Sequence, residues 1–270
     1  MKRFVVLPGY NAARTITRTL DELPRGSFDE LLLVDDGSRD ATLAVARSLG
    51  IPYVAHGNNR GYGAAQKTGF RLALERQADI IVLLHPDYQY DARCIPVMAG
   101  LVESGNADAV IGSRRLGGQC LEGGMPRWKW WGNVVLTAWM NACLATQLTD
   151  PHSGLRVYSR RYLESIAFDA YADGFLFDSQ IIFEGVARGL LIREVPIPTR
   201  YFPESSQIGF WRGIGYAAGI FAIGCRHLAC HERKRRRFGS SHHGEEKTGR
   251  LEMMRHESVK DRHEGDTIGG

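Results

Sequence analysis

Leu31-Leu32-Leu33-Val34-Asp35-Asp36-Gly37-Ser38-Arg39-Asp40 is the stretch that decides the fold. Four apolar residues in a row, too few for a helix, read as a strand buried on both faces. The run then breaks into two carboxylates, a glycine and a serine, and a helical stretch follows over Ala41–Leu49. The same grammar repeats on either side. Strand-like runs occur at Phe4–Leu7, Tyr53–Ala55, Ile80–Leu84 and Ala109–Ile111, with helical stretches at Ala13–Leu23, Ala64–Glu75 and Ile95–Val102 between them. Strand and helix alternating at this spacing predict an α/β fold with a mostly parallel sheet flanked by helices.

Ligands of such sheets bind outside the carboxyl ends of the strands. Those ends carry Pro8-Gly9-Tyr10-Asn11, then Asp35–Asp40, then His56–Gly63, then His85-Pro86-Asp87-Tyr88-Gln89, then Gly112-Ser113-Arg114-Arg115. Asp35 and Asp36 are acceptor-only groups suited to a nucleotide's base or ribose; the plainer alternative is an Asx-turn with Ser38 or Asp40 capping the next helix. His85, Asp87 and Gln89 alternate along an extended stretch, so they share a side. A divalent ion on a diphosphate takes one or two carboxylates plus phosphate oxygens and water, so this trio is a candidate Mg2+ or Mn2+ site. The guanidinium of Arg114 is a candidate phosphate fork. Gly61 and Gly63 open a helix and admit close backbone approach by a ligand, without matching the dinucleotide-binding glycine pattern.

The second half is less regular. Helices are expected at Met125–Leu144, Phe175–Arg188 and Gln207–Leu228, and strands at Leu155–Tyr158 and Leu191–Ile197, with the turn Asp150–Gly154 before the first of these strands. The chain divides into residues 1–205, a catalytic body; 206–231, an apolar helix; and 232–270, a charged, Gly/Ser-rich tail expected to be disordered.

Composition narrows the function. The chain has 270 residues, 44% of them apolar, enough for one sizeable core. The net charge is +4, but Arg226–Arg237 alone holds six basic residues against Glu232, which leaves the body near neutral. A general nucleic-acid-binding surface is therefore disfavoured. The five cysteines are scattered, and strand-like sequence starts at Arg3, so no secretory signal is expected and free thiols in a reducing, cytoplasmic compartment are. Cys225, His227, Cys230 and His231 match no closed zinc pattern.

Taken in order, these motifs resemble the family 2 glycosyltransferases, over roughly Phe4 to Arg226. The resemblance is strongest to dolichyl-phosphate mannosyltransferases and bacterial polyprenyl-phosphate glycosyltransferases. It implies a GT-A, nucleotide-diphospho-sugar transferase-like fold and an inverting transfer from a GDP- or UDP-sugar to a lipid-linked acceptor, most simply a polyprenyl phosphate. Pro8, Tyr10, Asn11, Asp35, Asp36, Gly61 and Gly63 then fall on the nucleotide side. Asp87, Gln89 and His85 fall at the metal, and Arg114, Lys129, Asn133 and Ser153 near the acceptor phosphate. Asp87, Arg114 and Asp150 are the expected catalytic groups.

This chain departs from the family at three places. His85 stands where an aspartate begins Asp-x-Asp, Ala12 where a glutamate is common, and Lys129 and Asn133 where an arginine and a serine are usual. Two alternatives stay open. One is transfer to a saccharide hydroxyl, with Asp150 as the required base. The other is non-catalytic nucleotide-sugar binding.

Between Arg212 and Arg226 lie 13 uncharged residues, about 20 Å of helix, against a hydrocarbon core of about 30 Å. Two readings fit. In one, the helix lies in the membrane interface with Phe210, Trp211, Phe221 and Ile223 in the lipid boundary and Arg233–Arg237 on anionic headgroups, a peripheral contact on the inner face of the cytoplasmic membrane. In the other, the helix packs on the body and the basic tail is solvated.

Overall fold

The computed structural model describes residues 1–118, 124–201, 209 and 213–230. Cys120, Phe210, Trp211, Arg212, the basic cluster and the tail lie outside these residues. Two compact units are distinguished, Met1–Gly224 and Cys225–Gly270; only Cys225–Cys230 of the second is described.

A seven-stranded mixed sheet forms the first unit. Its strands are β1 (Arg3–Gly9), β2 (Glu30–Asp35), β3 (Tyr53–Ala55), β4 (Ile80–Leu83), β5 (Ala109–Ser113), β6 (Arg156–Ser159) and β7 (Ile192–Pro196), in the order β3-β2-β1-β4-β6-β5-β7. All pairs are parallel except those of β6, which runs antiparallel to both β4 and β5. The expected strands are all present, within a few residues at their ends. Because β6 inverts once between β4 and β5, these two strands point the same way. The carboxyl ends of β1 to β5 therefore share one edge, and the turn leading into β6 enters at that edge.

Burial on both faces explains the continuous apolar runs. Val5 and Leu7 of β1 pack on one side with Leu33, Val82 and helix α4 (Ile95–Glu103). Phe4 and Val6 pack on the other with Leu32, Ile81 and Phe70 of α3 (Tyr62–Glu75). Gly69 brings α3 down onto β1, since a Cβ there would stand 2.2 Å from Val6 Cγ1. The remaining helices are α1 (Ile16–Asp21), α2 (Thr42–Ser48), α5 (Arg127–Leu144), α6 (Arg160–Ser165) and α7 (Leu176–Ala187). Helix α6, capped by Ser159 Oγ accepting from Tyr162 N–H, is a single short turn-like segment that its sequence pattern did not announce.

A last helix, α8 (Gly213–Cys230), is 18 residues long, about 27 Å. Against the expected Gln207–Leu228, the helix runs past the 13-residue uncharged stretch and Arg226 to Cys230. By length and composition it can cross a membrane, and only 11% of it is buried. Its first half packs on the body: Ile220 is fully buried with Met140, Cys143 and Ile182. Close packing is achieved with glycine. A Cβ at Gly219 would stand 2.5 Å from Leu176, and one at Gly224 would stand 2.5 Å from Trp139 Nε1.

Candidate active site

The loops after β1 and β2 are knitted together by hydrogen bonds. Asp36 N–H donates to the Gly9 carbonyl (2.8 Å), Asn11 N–H to Ser38 Oγ (2.8 Å), and Arg39 N–H to Asn11 Oδ1 (2.8 Å). Asn11 reaches this position in the left-handed region, at φ 53°, where asparagine is tolerated better than most residues. Pro8 is buried behind the loop, and Tyr10 presents an exposed ring at its edge. The Asx-turn alternative is realised in part, since Asp35 Oδ2 accepts from Ser38 N–H at 3.1 Å. Asp35 Oδ1 is buried with no partner. A buried acceptor left over by its own turn is free to accept from a further donor.

Asp36 is used differently. Its Oδ1 accepts from Arg60 N–H (2.9 Å) and pairs with His56 Nδ1 (2.8 Å), and its Oδ2 accepts from Gly61 N–H (2.9 Å). Three partners on a buried carboxylate commit it to holding the glycine-rich loop. Gly61 and Gly63 also serve the packing of the protein itself. A Cβ on Gly61 would meet the Asp173 carbonyl at 2.4 Å, and one on Gly63 the Ala172 carbonyl at 2.6 Å. Both make room for the Ala172–Gly174 loop, to which Ala64 N–H donates through Asp173 O.

Past β4, Asp87 and Gln89 are buried side by side, with Gln89 N–H donating to Asp87 Oδ1 at 3.1 Å. Among the described residues no three His, Cys, Asp or Glu side chains cluster as a metal cage. One buried carboxylate with an amide neighbour still fits an ion that draws its other ligands from diphosphate and water. His85 packs against Gly154, where a Cβ would stand 2.6 Å from Nε2. The Tyr62 hydroxyl lies between His85 Nε2 (2.8 Å) and Asp178 Oδ2 (3.2 Å). The carboxylate only accepts, so Tyr62 donates to Asp178, and His85 donates its Nε2 proton to Tyr62. The lone pair is left on Nδ1. Burial holds His85 below its ordinary pKa, hence neutral.

Arg114 and Asp150 form a buried fork: Nε to Oδ2 at 2.6 Å and Nη2 to Oδ1 at 2.7 Å, with Arg114 N–H donating to Oδ2 at 3.1 Å. Arg114 Nη1 also donates to the Tyr201 hydroxyl at 3.0 Å. Burial alone would raise the Asp150 pKa, but the charge and hydrogen bonds of Arg114 outweigh it and hold the carboxyl below its usual range. A carboxylate so engaged is a poor proton acceptor, which corrects the expectation of Asp150 as a general base. Ser153 is fully buried beneath the same turn, its Oγ unpartnered.

The segments after β4 and β5 and the turn before β6 form the floor of a cavity of about 500 Å³, which the loops after β1 and β2 do not line. Its polar lining includes His85, Gln89, Arg114, Lys129, Asn133 and His152. Its outer wall is apolar, from Trp128, Trp131 and Val135 of α5 and Ile214, Ala217 and Phe221 of α8. Lys129 has no ion-pair partner among the described residues; its Nζ lies 5.4 Å from the Tyr201 ring centroid. Burial, reinforced by the charge of Arg114, lowers its pKa to about 8.

The structure also adds residues that the motifs did not mark. Arg156, wholly buried in β6, pairs with Asp178 of α7 at 3.3 Å and donates to the Pro151 and Ser153 carbonyls at 2.9 and 2.8 Å. The signal for both was an isolated charge inside an apolar strand and an apolar helix.

Comparison with known proteins agrees with this geometry. The model of glycosyl transferase family 2 matches residues 4–167. An undecaprenyl-phosphate mannosyltransferase from Micrococcus luteus is 32% identical over 77% of this chain and 88% of its own length. A UDP-N-acetylglucosamine–dolichyl-phosphate N-acetylglucosaminyltransferase from Methanococcus voltae is 27% identical over 79% of this chain and 91% of its own. Among solved structures, glucosyl-3-phosphoglycerate synthase from Mycobacterium tuberculosis, in complex with Mn2+ and UDP-glucose, superposes with a TM-score of 0.64 at 22% identity, covering 84% of this chain and 79% of that one.

Asp150→Asn tests the ion pair itself. Removing one partner strands a buried guanidinium, so the variant is expected to lose about 3–5 kcal/mol in urea unfolding. Because the folded pKa of Asp150 is depressed, its contribution is present above the unfolded value near 3.9 and fades as pH falls toward the folded one. The gap between wild type and variant should therefore narrow in acid; an equal gap at pH 7 and pH 3 would contradict the pairing.

Proposed function

The chain belongs to glycosyl transferase family 2, and from that premise we propose that it transfers a hexosyl group from a GDP- or UDP-sugar to a polyprenyl phosphate. It is a glycosyltransferase with a GT-A fold, its mixed sheet of seven strands flanked by helices. The observation that carries the acceptor class is the two-sided cavity. A cationic and polar floor at the strand ends suits a phosphate, and an apolar wall of tryptophans and α8 residues suits the chain attached to it. The relatives from Micrococcus luteus and Methanococcus voltae are named for undecaprenyl and dolichyl phosphate.

In this reading the nucleoside rests on the Pro8–Asn11 loop beside Tyr10, and Asp35 Oδ1 accepts a hydrogen bond from it. Asp36 acts one step removed, by fixing the loop that carries Arg60 and Gly61. Asp87 and Gln89 hold a divalent ion, with His85 Nδ1 available to it. Bound there, Mg2+ or Mn2+ neutralises charge on the leaving diphosphate, as the Mn2+ and UDP-glucose of the mycobacterial structure suggest. Lys129, with Asn133, receives the acceptor phosphate. A phosphate oxygen attacks the anomeric carbon from the side opposite the diphosphate. That carbon's bond to the diphosphate oxygen breaks with inversion, and the electron pair leaves with the nucleotide. The acceptor is already an anion, so no proton has to be removed. A saccharide hydroxyl would need a base, and Asp150 is held in the Arg114 fork. Arg114, neutralised by Asp150, shapes and polarises the floor.

The test is transfer of labelled sugar to undecaprenyl or dolichyl phosphate across a panel of donors with Mn2+. Asp87→Ala should lower turnover at least a thousandfold and abolish the metal dependence of donor binding. Absence of wild-type transfer to any lipid phosphate would refute the acceptor assignment.

Lys129 supplies a pH signature. It is charged below about 8 and neutral above, while a phosphate monoester becomes a dianion above about 6. Acceptor kcat/KM, which reports the free enzyme, should peak between these values and fall about tenfold per unit above 8. Lys129→Met should flatten that alkaline limb; an unchanged limb would remove Lys129 from the role.

Exposed apolar groups around the cavity mouth support a peripheral membrane contact. Trp131 is 62% exposed, Ile214 49% and Phe221 39%. Burying one such side chain in the lipid boundary contributes roughly 1.5–3 kcal/mol, so Trp131→Ala should weaken flotation with anionic vesicles about tenfold or more. Wild-type protein that stays with the vesicle-free fraction would sink this part of the reading.

A further inference from the structure

His152 is unaccounted for by the roles above. It follows Pro151 in the turn entering β6 and lines the same cavity as Lys129. Its Nδ1 is hydrogen-bonded to the Tyr216 hydroxyl of α8 at 2.9 Å, and the two rings meet edge to face, 5.8 Å between centroids. Tyr216 in turn lies 3.3 Å from Ser179 Oγ on α7. His152 Nε2 is buried and has no partner. A buried ring nitrogen left unpaired costs free energy unless a ligand or water completes it. Ordinary core histidines satisfy both nitrogens; this one satisfies a single nitrogen against a helix and leaves the other buried and unpaired in a residue that lines the chamber.

We infer that His152 is a phosphate-binding residue of the acceptor chamber, its Nε2–H donating to a phosphate oxygen of the lipid acceptor and its ring aimed by Tyr216. This rests on the lipid-phosphate reading above. The tautomer follows from the partners. When the Tyr216 hydroxyl donates to Nδ1, with the Ser179 hydroxyl donating to the Tyr216 oxygen, the ring proton sits on Nε2 and every group in the chain is satisfied. An anion selects that arrangement over the opposite one, in which Nε2 would present a lone pair to it. Burial holds the His152 pKa down to about 4, so the ring serves as a neutral donor, and Lys129 supplies the charge. The orienting hydroxyl belongs to α8, the helix that also builds the apolar wall. Seating of α8 and readiness of the phosphate contact are thereby linked through one hydrogen bond.

The test uses intrinsic fluorescence of Trp128 and Trp131 to titrate farnesyl phosphate and farnesol, alongside transfer kinetics. Wild type should bind the phosphate more tightly than the alcohol. His152→Leu should narrow that preference about tenfold and raise the acceptor KM by a similar factor, with donor KM unchanged. His152→Gln, which returns a neutral N–H donor near the Nε2 position, should restore most of it, and Tyr216→Phe should give an intermediate loss. A general packing defect would move farnesol and donor along with farnesyl phosphate and would not be rescued by Gln; that result overturns the assignment, as does an unaltered preference in His152→Leu. If His152→Leu does not fold, the Gln and Tyr216→Phe variants decide: a wild-type preference in Tyr216→Phe together with a lost one in Gln overturns it. Failure of wild type to prefer the phosphate, or to transfer to it, overturns the lipid-phosphate reading and this assignment with it, and is told apart by appearing before any substitution is made.

Discussion

The buried pairing of Arg114 with Asp150 is the interaction on which the site depends. Each charge has left water, and neither could do so without the other. The pair joins the end of β5 to the turn before β6, two segments that meet only because β6 runs antiparallel beside β5. Its surroundings are arranged to serve it. Glu194 of β7 accepts from the Thr149 and Asp150 backbone N–H groups at 2.6 and 2.7 Å, and Tyr201 takes the remaining face of the guanidinium. The floor of the cavity is thus a polar lattice with most of its charges already matched, and among the described residues Lys129 stands beside it without an ion-pair partner.

A second buried pair, Arg156 with Asp178, does comparable work one layer deeper. It ties β6 to α7 and, through Tyr62, reaches His85. Together with the three-partner carboxylate of Asp36, it makes the site a set of loops fixed from behind. Few of the conspicuous residues are free to touch ligand; most hold those that are.

The sequence made the first half of the fold legible because strands covered on both faces are continuous apolar runs, and Phe4–Leu7 or Ile80–Leu84 can be read no other way at that length. Strand ends marked the site for the same reason. What stayed hidden was whatever depends on distant partners. Nothing local in Leu155–Tyr158 says that it slots between β4 and β5 in reverse. Gly61 and Gly63 carry the right residue type for a ligand contact, yet the atoms that crowd them belong to a loop more than 100 residues away. Asp150 looked like a base until Arg114 was found on both of its oxygens. The reach of α8 past Arg226 was legible, since an arginine does not end a helix whose exposed face can carry it.

The place of β6 has a consequence for how the molecule comes into being. Within the sheet, β5 and its later partner β7 are joined to β1–β4 only through β6, and β6 is made some 45 residues after β5. As the chain leaves the ribosome, β1 to β4 can condense into one half of the sheet from neighbours close in sequence, whereas β5 must wait as an unpaired strand until residues 156–159 arrive to bridge it. Contacts of such separation are slow to form, and an idle apolar strand such as Ala109–Ser113 invites wrong pairing meanwhile. The two halves of the sheet edge are therefore expected to mature at different times, with the insertion of a single four-residue strand as the event that makes them one.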